Sequence, residues 1–219
     1  ILVGASSGIG AALARRLAAQ GYTLPLLARR EELINALCDE INAAAGERRA
    51  LPYVHDVTET DGIPALLQRI MRDLGGLDLF VYVAGISLPT GLSHYEYDKD
   101  LQVTQVNYLG ALAWLDPVAA VFHQLKAGQI VGISSVAGER GRVGNPAYNA
   151  SKAALTCYLE ALRNRLSRRG VHVLTVKPGY VFTDMTAGMK NLPFAVSPER
   201  AADDILRAIR QRRQVLYTA

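Results

Sequence analysis

Short apolar runs separated by segments of helical period constrain this chain of 219 residues more than any other feature. The runs are Ile1 to Val3, Tyr22 to Ala28, Ala50 to Val54, Leu77 to Val83, Gln129 to Ile133, His172 to Val176 and Val215 to Tyr217. Near-continuous apolar character marks strands buried on both faces, and such strands belong to parallel sheets covered by crossover helices. Between the runs, Ile9, Leu13 and Leu17 recur at helical spacing up to Gly21, and Leu33, Ile34, Leu37 and Ile41 mark a second helix. Leu66, Leu67, Ile70, Met71 and Leu74 mark a third, which stops at Gly75. Asn145 followed by Pro146 reads as an N-cap with a first-turn proline, opening a helix that extends to about Gly170. The alternation predicts an α/β fold, a doubly wound seven-stranded parallel sheet with helices on both faces.

Half of the residues are hydrophobic and 20% are charged, which excludes disorder and a fibrous repeat. The net charge of +4 has no basic stripe behind it, because Arg207, Arg210, Arg212 and Arg213 crowd a helix end where cations favour the dipole. No nucleic-acid partner is expected. No apolar run reaches the length of a membrane span. Cys38 and Cys157 lie in no metal or redox spacing and the four histidines are scattered, so neither a disulfide framework nor a metal site is expected, and a cytoplasmic setting fits. The chain opens on Ile1, inside an apolar run too short for a whole central strand. The natural N-terminus is therefore expected to lie outside these residues, and a missing natural C-terminus is a separate expectation.

Gly4 Ala5 Ser6 Ser7 Gly8 Ile9 Gly10 occupies the passage from the first strand to the first helix. Small residues let the backbone approach a pyrophosphate, and a helix start offers unpaired N–H groups and a positive dipole end. A tight turn with no ligand would use the same glycines, and the pattern alone leaves both readings open. Arg29 and Arg30 end the second strand, where an acidic side chain would take the ribose 2′-hydroxyl of NAD and repel a 2′-phosphate. Two arginines there favour NADP over NAD. The alternative, a solvated pair at a helix start, sets Arg30 against the dipole. Asp56, in His55 Asp56 Val57 after the third strand, reads on spacing as a helix N-cap.

Tyr148 and Lys152 stand four residues apart at the start of a helix, hence on one face. A phenol with a pKa of about 10 is poorly matched to proton transfer near neutrality. A cation about 5 Å away, at an effective dielectric of 20, would lower it by about two units. Ser135 ends the fifth strand, 13 positions before Tyr148, at the edge where open α/β sheets bind ligands. Asn107 interrupts an apolar helical face, and a buried amide there is satisfied either structurally or by a water connected to Lys152.

The G-x-x-x-G-x-G turn, Asn107, Ser135, Tyr148, Lys152 and the segment Pro178 Gly179 Tyr180 Val181 Phe182 Thr183 together resemble the short-chain dehydrogenase/reductase family from the first residue to about Thr218. The resemblance implies a single Rossmann-type domain over residues 1–219 and a catalytic tetrad. In it Tyr148 exchanges the proton, Ser135 positions the substrate oxygen, Lys152 lowers the tyrosine pKa and binds the nicotinamide ribose, and Asn107 holds a relay water. It also implies cofactor contacts from Gly4, Ser6, Ser7, Gly8, Ile9 and Gly10 and from Arg29, Arg30, Asp56 and Val57, with Asp56 at the adenine ring. Ala84, Gly85, Pro178, Gly179, Val181 and Thr183 would border the rest of the dinucleotide. Two departures stand out: Val3 replaces the usual Thr before the first glycine, and Tyr82 and Val83 replace two asparagines before Ala84. Both bear on cofactor affinity more than on the tetrad.

The function expected is an NADP-dependent oxidoreductase interconverting an alcohol and a carbonyl by hydride transfer. Two alternatives are a ketoreductase half-reaction in the epimerisation of a lipid-linked sugar, from a faint resemblance over Met185 to Glu199, and an NADPH-binding sensor or scaffold without turnover. The intact tetrad argues against the second. Met185, Met189, Leu192 and Phe194 lie in an irregular run between Phe182 and Val196 that reads either as a mobile lid or as fixed packing. They favour a substrate with a sizeable apolar part. The helices after Asn107 and Asn145 carry Ala111, Ala113, Ala150, Ala153, Ala154, Ala161 and Leu162, more small apolar residues than one sheet-facing stripe needs. The family resemblance implies that these faces meet in a symmetric homodimer or homotetramer.

Overall fold

Strand and helix alternate through the chain as the patterning requires. The computed structural model describes residues 1–218. In order they form β1 (Leu2–Val3), α1 (Gly8–Ala18), β2 (Leu24–Ala28), α2 (Glu31–Ala45), β3 (Ala50–Val54), α3 (Ile63–Leu74) and β4 (Leu79–Tyr82). Then come α4 (Tyr97–Thr104), α5 (Gly110–Leu125), β5 (Gln129–Ile133), α6 (Pro146–Leu166), β6 (His172–Pro178), α7 (Pro198–Arg210) and β7 (Val215–Thr218). The seven strands lie in the order β3-β2-β1-β4-β5-β6-β7, and every pairing is parallel. Winding runs outward in both directions from β1 and β4, so the topological switch falls between them. A crevice at the carboxyl ends of those strands is where such sheets bind ligands.

Alternation along each strand splits the core in two. Leu2, Leu26, Val81, Val131 and Leu174 point to one face and pack on α1, α2 and α7. Val3, Leu27, Phe80, Tyr82, Ile130 and Val173 point to the other and pack on α3, α5 and α6. A strand clad on both sides has no solvent face, which is why the apolar runs show no polar alternation. No helix among the described residues is long and apolar enough to cross a membrane.

Some boundaries differ from the sequence reading. β2 begins at Leu24 rather than Tyr22, because the Tyr22 N–H still reaches back to the Leu17 carbonyl at the end of α1. β4 stops at Tyr82: the N–H groups of Val83 and Ala84 both converge on the Val3 carbonyl, and the ladder ends there. β6 runs on to Pro178, paired with Thr218 of β7. Between α4 and α5, Gln105–Leu109 winds as a single π-helical turn. Asn107 sits at its centre.

Candidate active site

The crevice at the switch point is a cavity of about 930 Å³. Every site residue expected from the sequence lines it except Gly10, Asp56 and Asn107. At one end is the glycine-rich turn. Gly4 has φ +92°, and a Cβ there would collide with the Ala84 nitrogen. A Cβ on Gly10 would collide with the Gly4 carbonyl oxygen, so Gly10 closes the turn on itself rather than facing the cavity. Ser7, the N-cap of α1, is extended and makes no side-chain cap, so the leading N–H groups of the helix keep no protein side chain as acceptor.

Arg30 crosses this turn, donating to the hydroxyls of Ser6 at 3.0 Å and Ser7 at 2.8 Å. Arg29 reaches the Asp56 carboxylate at 3.4 Å, an exposed and therefore weak pair. Asp56 caps a turn and not a helix: its Oδ1 accepts from the Thr58 N–H and hydroxyl, and α3 starts only at Ile63. Burial pushes the Asp56 carboxyl up, but Thr58 and Arg29 outweigh it and hold the group below its ordinary value. Its neighbours His55 and Val57 line the cavity in its place. His55, set aside in the sequence as scattered, accepts the Trp114 indole N–H on Nε2 at 3.2 Å, and burial pushes its pKa down. The residues at this end fit a dinucleotide: bare backbone where a pyrophosphate must approach, and two guanidinium groups beside it.

At the other end, β5 and α6 deliver the reactive groups. Asn145 caps α6, accepting the Tyr148 N–H and donating to the Ser87 hydroxyl at 2.7 Å. Ser134, which sequence reasoning passed over, locks α6 onto β5: its hydroxyl donates to the Lys152 carbonyl at 2.8 Å and meets Thr156 at 2.7 Å. Ser135 then presents its hydroxyl at the strand end, accepting from the Ala137 N–H and donating to the Pro178 carbonyl at 3.5 Å. Lys152 is 2% exposed. Its Nζ donates to the Ile133 carbonyl at 2.9 Å and lies 5.9 Å from the Tyr148 ring centroid. Burial pushes the ammonium down to about 8. Burial also pushes the Tyr148 phenol above its ordinary value, and the Ser135 hydroxyl pulls it only partly back. The lowering of Tyr148 expected from Lys152 is not what the folded protein shows: desolvation dominates, and the opposing contribution comes from Ser135.

Asn107 takes the structural option. Its Oδ1 accepts from the Ile86 N–H at 2.8 Å, and its Nδ2 donates to the Ile86 carbonyl and to the Ser151 hydroxyl. The side-chain amide joins the β4 loop to α6, with both Nδ2 hydrogens used. Gly85 lies between the two groups: a Cβ there would sit 3.3 Å from both Asn107 Oδ1 and Lys152 Nζ. A phenol, a hydroxyl and a buried ammonium at one cavity end can together move a proton to or from a ligand oxygen.

The departures at Tyr82 and Val83 also find a physical account. Tyr82 is fully buried and donates its hydroxyl to the Val106 carbonyl at 2.7 Å, inside the π turn that carries Asn107. Val83 packs on the first core and lines the cavity. Tyr82→Phe leaves the Val106 carbonyl without that donor, and urea unfolding is expected to show a loss of about 1 to 3 kcal/mol. An unchanged midpoint would mean that the hydroxyl adds nothing to the turn.

The segment after β6 is closed at its base. Val181 bridges Val196, the Phe182 N–H donates to the Val196 carbonyl, and the Val196 N–H to the Tyr180 carbonyl. Thr183 packs its methyl against Gly8, where a Cβ would come within 2.9 Å. Met185 and Met189 line the cavity at 41% and 45% exposure, whereas Phe194, at 86%, turns away from it into solvent.

Residues 1–191 match the short chain dehydrogenase family. An uncharacterized oxidoreductase of Myxococcus xanthus is 37% identical over 187 residues, 85% of this chain and 73% of that protein. Among solved structures, a short-chain dehydrogenase from Sphingobium yanoikuyae in complex with NADPH is similar at 27% identity and a TM-score of 0.89, over 99% of this chain and 85% of that one. A variant of the actinorhodin polyketide ketoreductase with NADPH aligns at 26% identity and a TM-score of 0.88, over 99% of this chain and 93% of that one.

Proposed function

The chain belongs to the short-chain dehydrogenase family, and from that premise we propose that it interconverts a carbonyl and an alcohol with NADP(H), Tyr148 exchanging the proton. The observation that carries the reading is the meeting of Tyr148, Ser135 and Lys152 with the glycine-rich turn and two arginines in one cavity. Arg29 and Arg30 would hold the 2′-phosphate, and the turn the pyrophosphate. The bound nicotinamide supplies or removes the hydride at the substrate carbon. Tyr148 gives its phenol proton to the carbonyl oxygen as that oxygen gains charge, and in oxidation takes it back. The Ser135 hydroxyl donates to the same oxygen and fixes it beside the phenol. Lys152, cationic below about pH 8, stabilises the phenolate left behind. Asn107 keeps the β4 loop and α6 in register around these groups. That both solved relatives above hold NADPH supports the cofactor choice.

The test is consumption of NADPH across a panel of aldehydes and ketones with apolar bodies, which the flanking Met185, Met189, Ile86 and Leu88 favour. Turnover with one or more is the expected result. Tight NADPH binding with no turnover on any would leave a cofactor-binding protein and overturn the reading.

The same reading extends to a symmetric homo-oligomer. Ala111 and Leu162 are turned into the core, but Ala150, Cys157 and Ala161 share one exposed face of α6, small enough for a second copy to approach. Sedimentation at micromolar concentration is expected to show a dimer or tetramer. A 23.7 kDa species alone would contradict it.

A further inference from the structure

The loop from β5 to α6 carries a cation with no counter-charge. Arg142 lines the cavity together with Tyr148. Its carbonyl accepts from Nδ2 of the buried Asn149 at 3.2 Å, so the root of the side chain is fixed on the first turn of α6. Glu139, the carboxylate of this loop, is held by Lys177 at 2.5 Å. Arg140 turns back to the Glu139 carbonyl. Among the described residues the Arg142 guanidinium has neither an ion pair nor a hydrogen bond.

The cavity's other cations are engaged. Arg29 faces Asp56, Arg30 lies on Ser6 and Ser7, and Lys152 is sunk against Ile133. Asp184 also lines the cavity, but no ion pair joins it to Arg142. Near Arg142 the polar pair Asn145 and Ser87 satisfy each other. The lining that Tyr148 shares also includes the apolar Leu88, Met185 and Met189, and among the described residues Arg142 is its one guanidinium without an ion pair or hydrogen bond. A planar fork of donors beside an apolar wall recognises a carboxylate carried on an apolar body.

We propose that Arg142 determines substrate specificity, selecting oxo acids with an apolar body over the corresponding neutral ketones. The proposal rests on the reductase reading above and adds the chemistry of the substrate's second end. The carboxylate pairs with the guanidinium while the ketone oxygen lies at Tyr148 and Ser135.

The matched pair 2-oxo-4-phenylbutyrate and its ethyl ester differs chiefly in that charge. With NADPH, the wild type is expected to favour the acid, and Arg142→Gln to lower the acid-to-ester ratio of kcat/KM about tenfold, a modest value for a contact open to solvent at one side. Arg142→Lys, which keeps the charge without the fork, recovers part of the ratio. A ratio unchanged in Arg142→Gln overturns the proposal. If the wild type reduces neither ketone, the reductase reading fails for this class, and binding alone decides Arg142. Calorimetry with 4-phenylbutyrate and 4-phenylbutanamide on the NADPH-bound protein should show the acid preferred by wild type and not by Arg142→Gln. Equal preference in the two proteins overturns the proposal whatever the turnover.

Discussion

Tyr148→Phe is expected to lower carbonyl reduction by about a hundredfold or more while leaving NADPH affinity nearly unchanged. The substitution keeps the ring and removes the hydroxyl proposed to pass a proton to the substrate oxygen beside Ser135. Single-turnover kinetics and a separate binding titration distinguish the two effects, and retained turnover would sink the assignment of Tyr148. A pH profile extends the test to Lys152. Its charge, held down to about 8 by burial, is present below that pH and lost above it, so the reduction rate should decline as pH rises through about 8. Stability moves the other way. Between about 8 and the ordinary value of 10.5 the unfolded chain holds more protons at this lysine than the folded one. This group's contribution to stability therefore increases with pH across that window. A flat rate profile from neutral pH to above the lysine's value would remove Lys152 from the mechanism.

Arg29→Ala should weaken NADPH about ten- to a hundredfold and leave NADH almost unaffected. Two effects act together. The variant loses the proposed charge-assisted contact to the 2′-phosphate, and it removes the cation that now faces Asp56 at 3.4 Å. An uncompensated carboxylate then stands near a dianionic phosphate and repels it, whereas the 2′-hydroxyl of NADH meets no such opposition. Arg30→Ala should act in the same direction through the loss of one donor at Ser6 and Ser7. Dissociation constants for both cofactors decide the matter: equal losses for NADPH and NADH would rule out a 2′-phosphate site.

What the sequence made legible was local. Tyr148 and Lys152 declare themselves because one helix holds both at a spacing of four, and Ser135 because a strand end and a helix start bracket it. The glycine-rich turn is readable for the same reason. Asn107 was ambiguous because its partners, Ile86 and Ser151, lie 21 and 44 residues away and only the folded sheet brings them together. Ser134 carries no signal either, since a serine beside Ser135 looks redundant until its hydroxyl is found on the Lys152 carbonyl. Asp56 misled because an acidic residue after a strand reads as a helix cap, whereas the helix waits until Ile63 with Pro64 in its first turn. The burial that pushes the Tyr148 phenol up is not legible in a spacing of four, whereas proximity to a cation is.

The reversal of strand order between β1 and β4 has a genetic consequence. Residues proposed to choose the cofactor, from Gly4 to Val57, all precede Tyr82 in the chain, and residues proposed to handle the substrate, Ser135, Arg142 and Tyr148, all follow Gly85. The two halves of the specificity are inherited as consecutive blocks of coding sequence, joined across a few residues of β4 and its loop. A chimera joined there would exchange the proposed 2′-phosphate site against the proposed substrate site in one crossover, provided that the close approach of Gly4 to Ala84 and the Tyr82–Val106 hydrogen bond are kept.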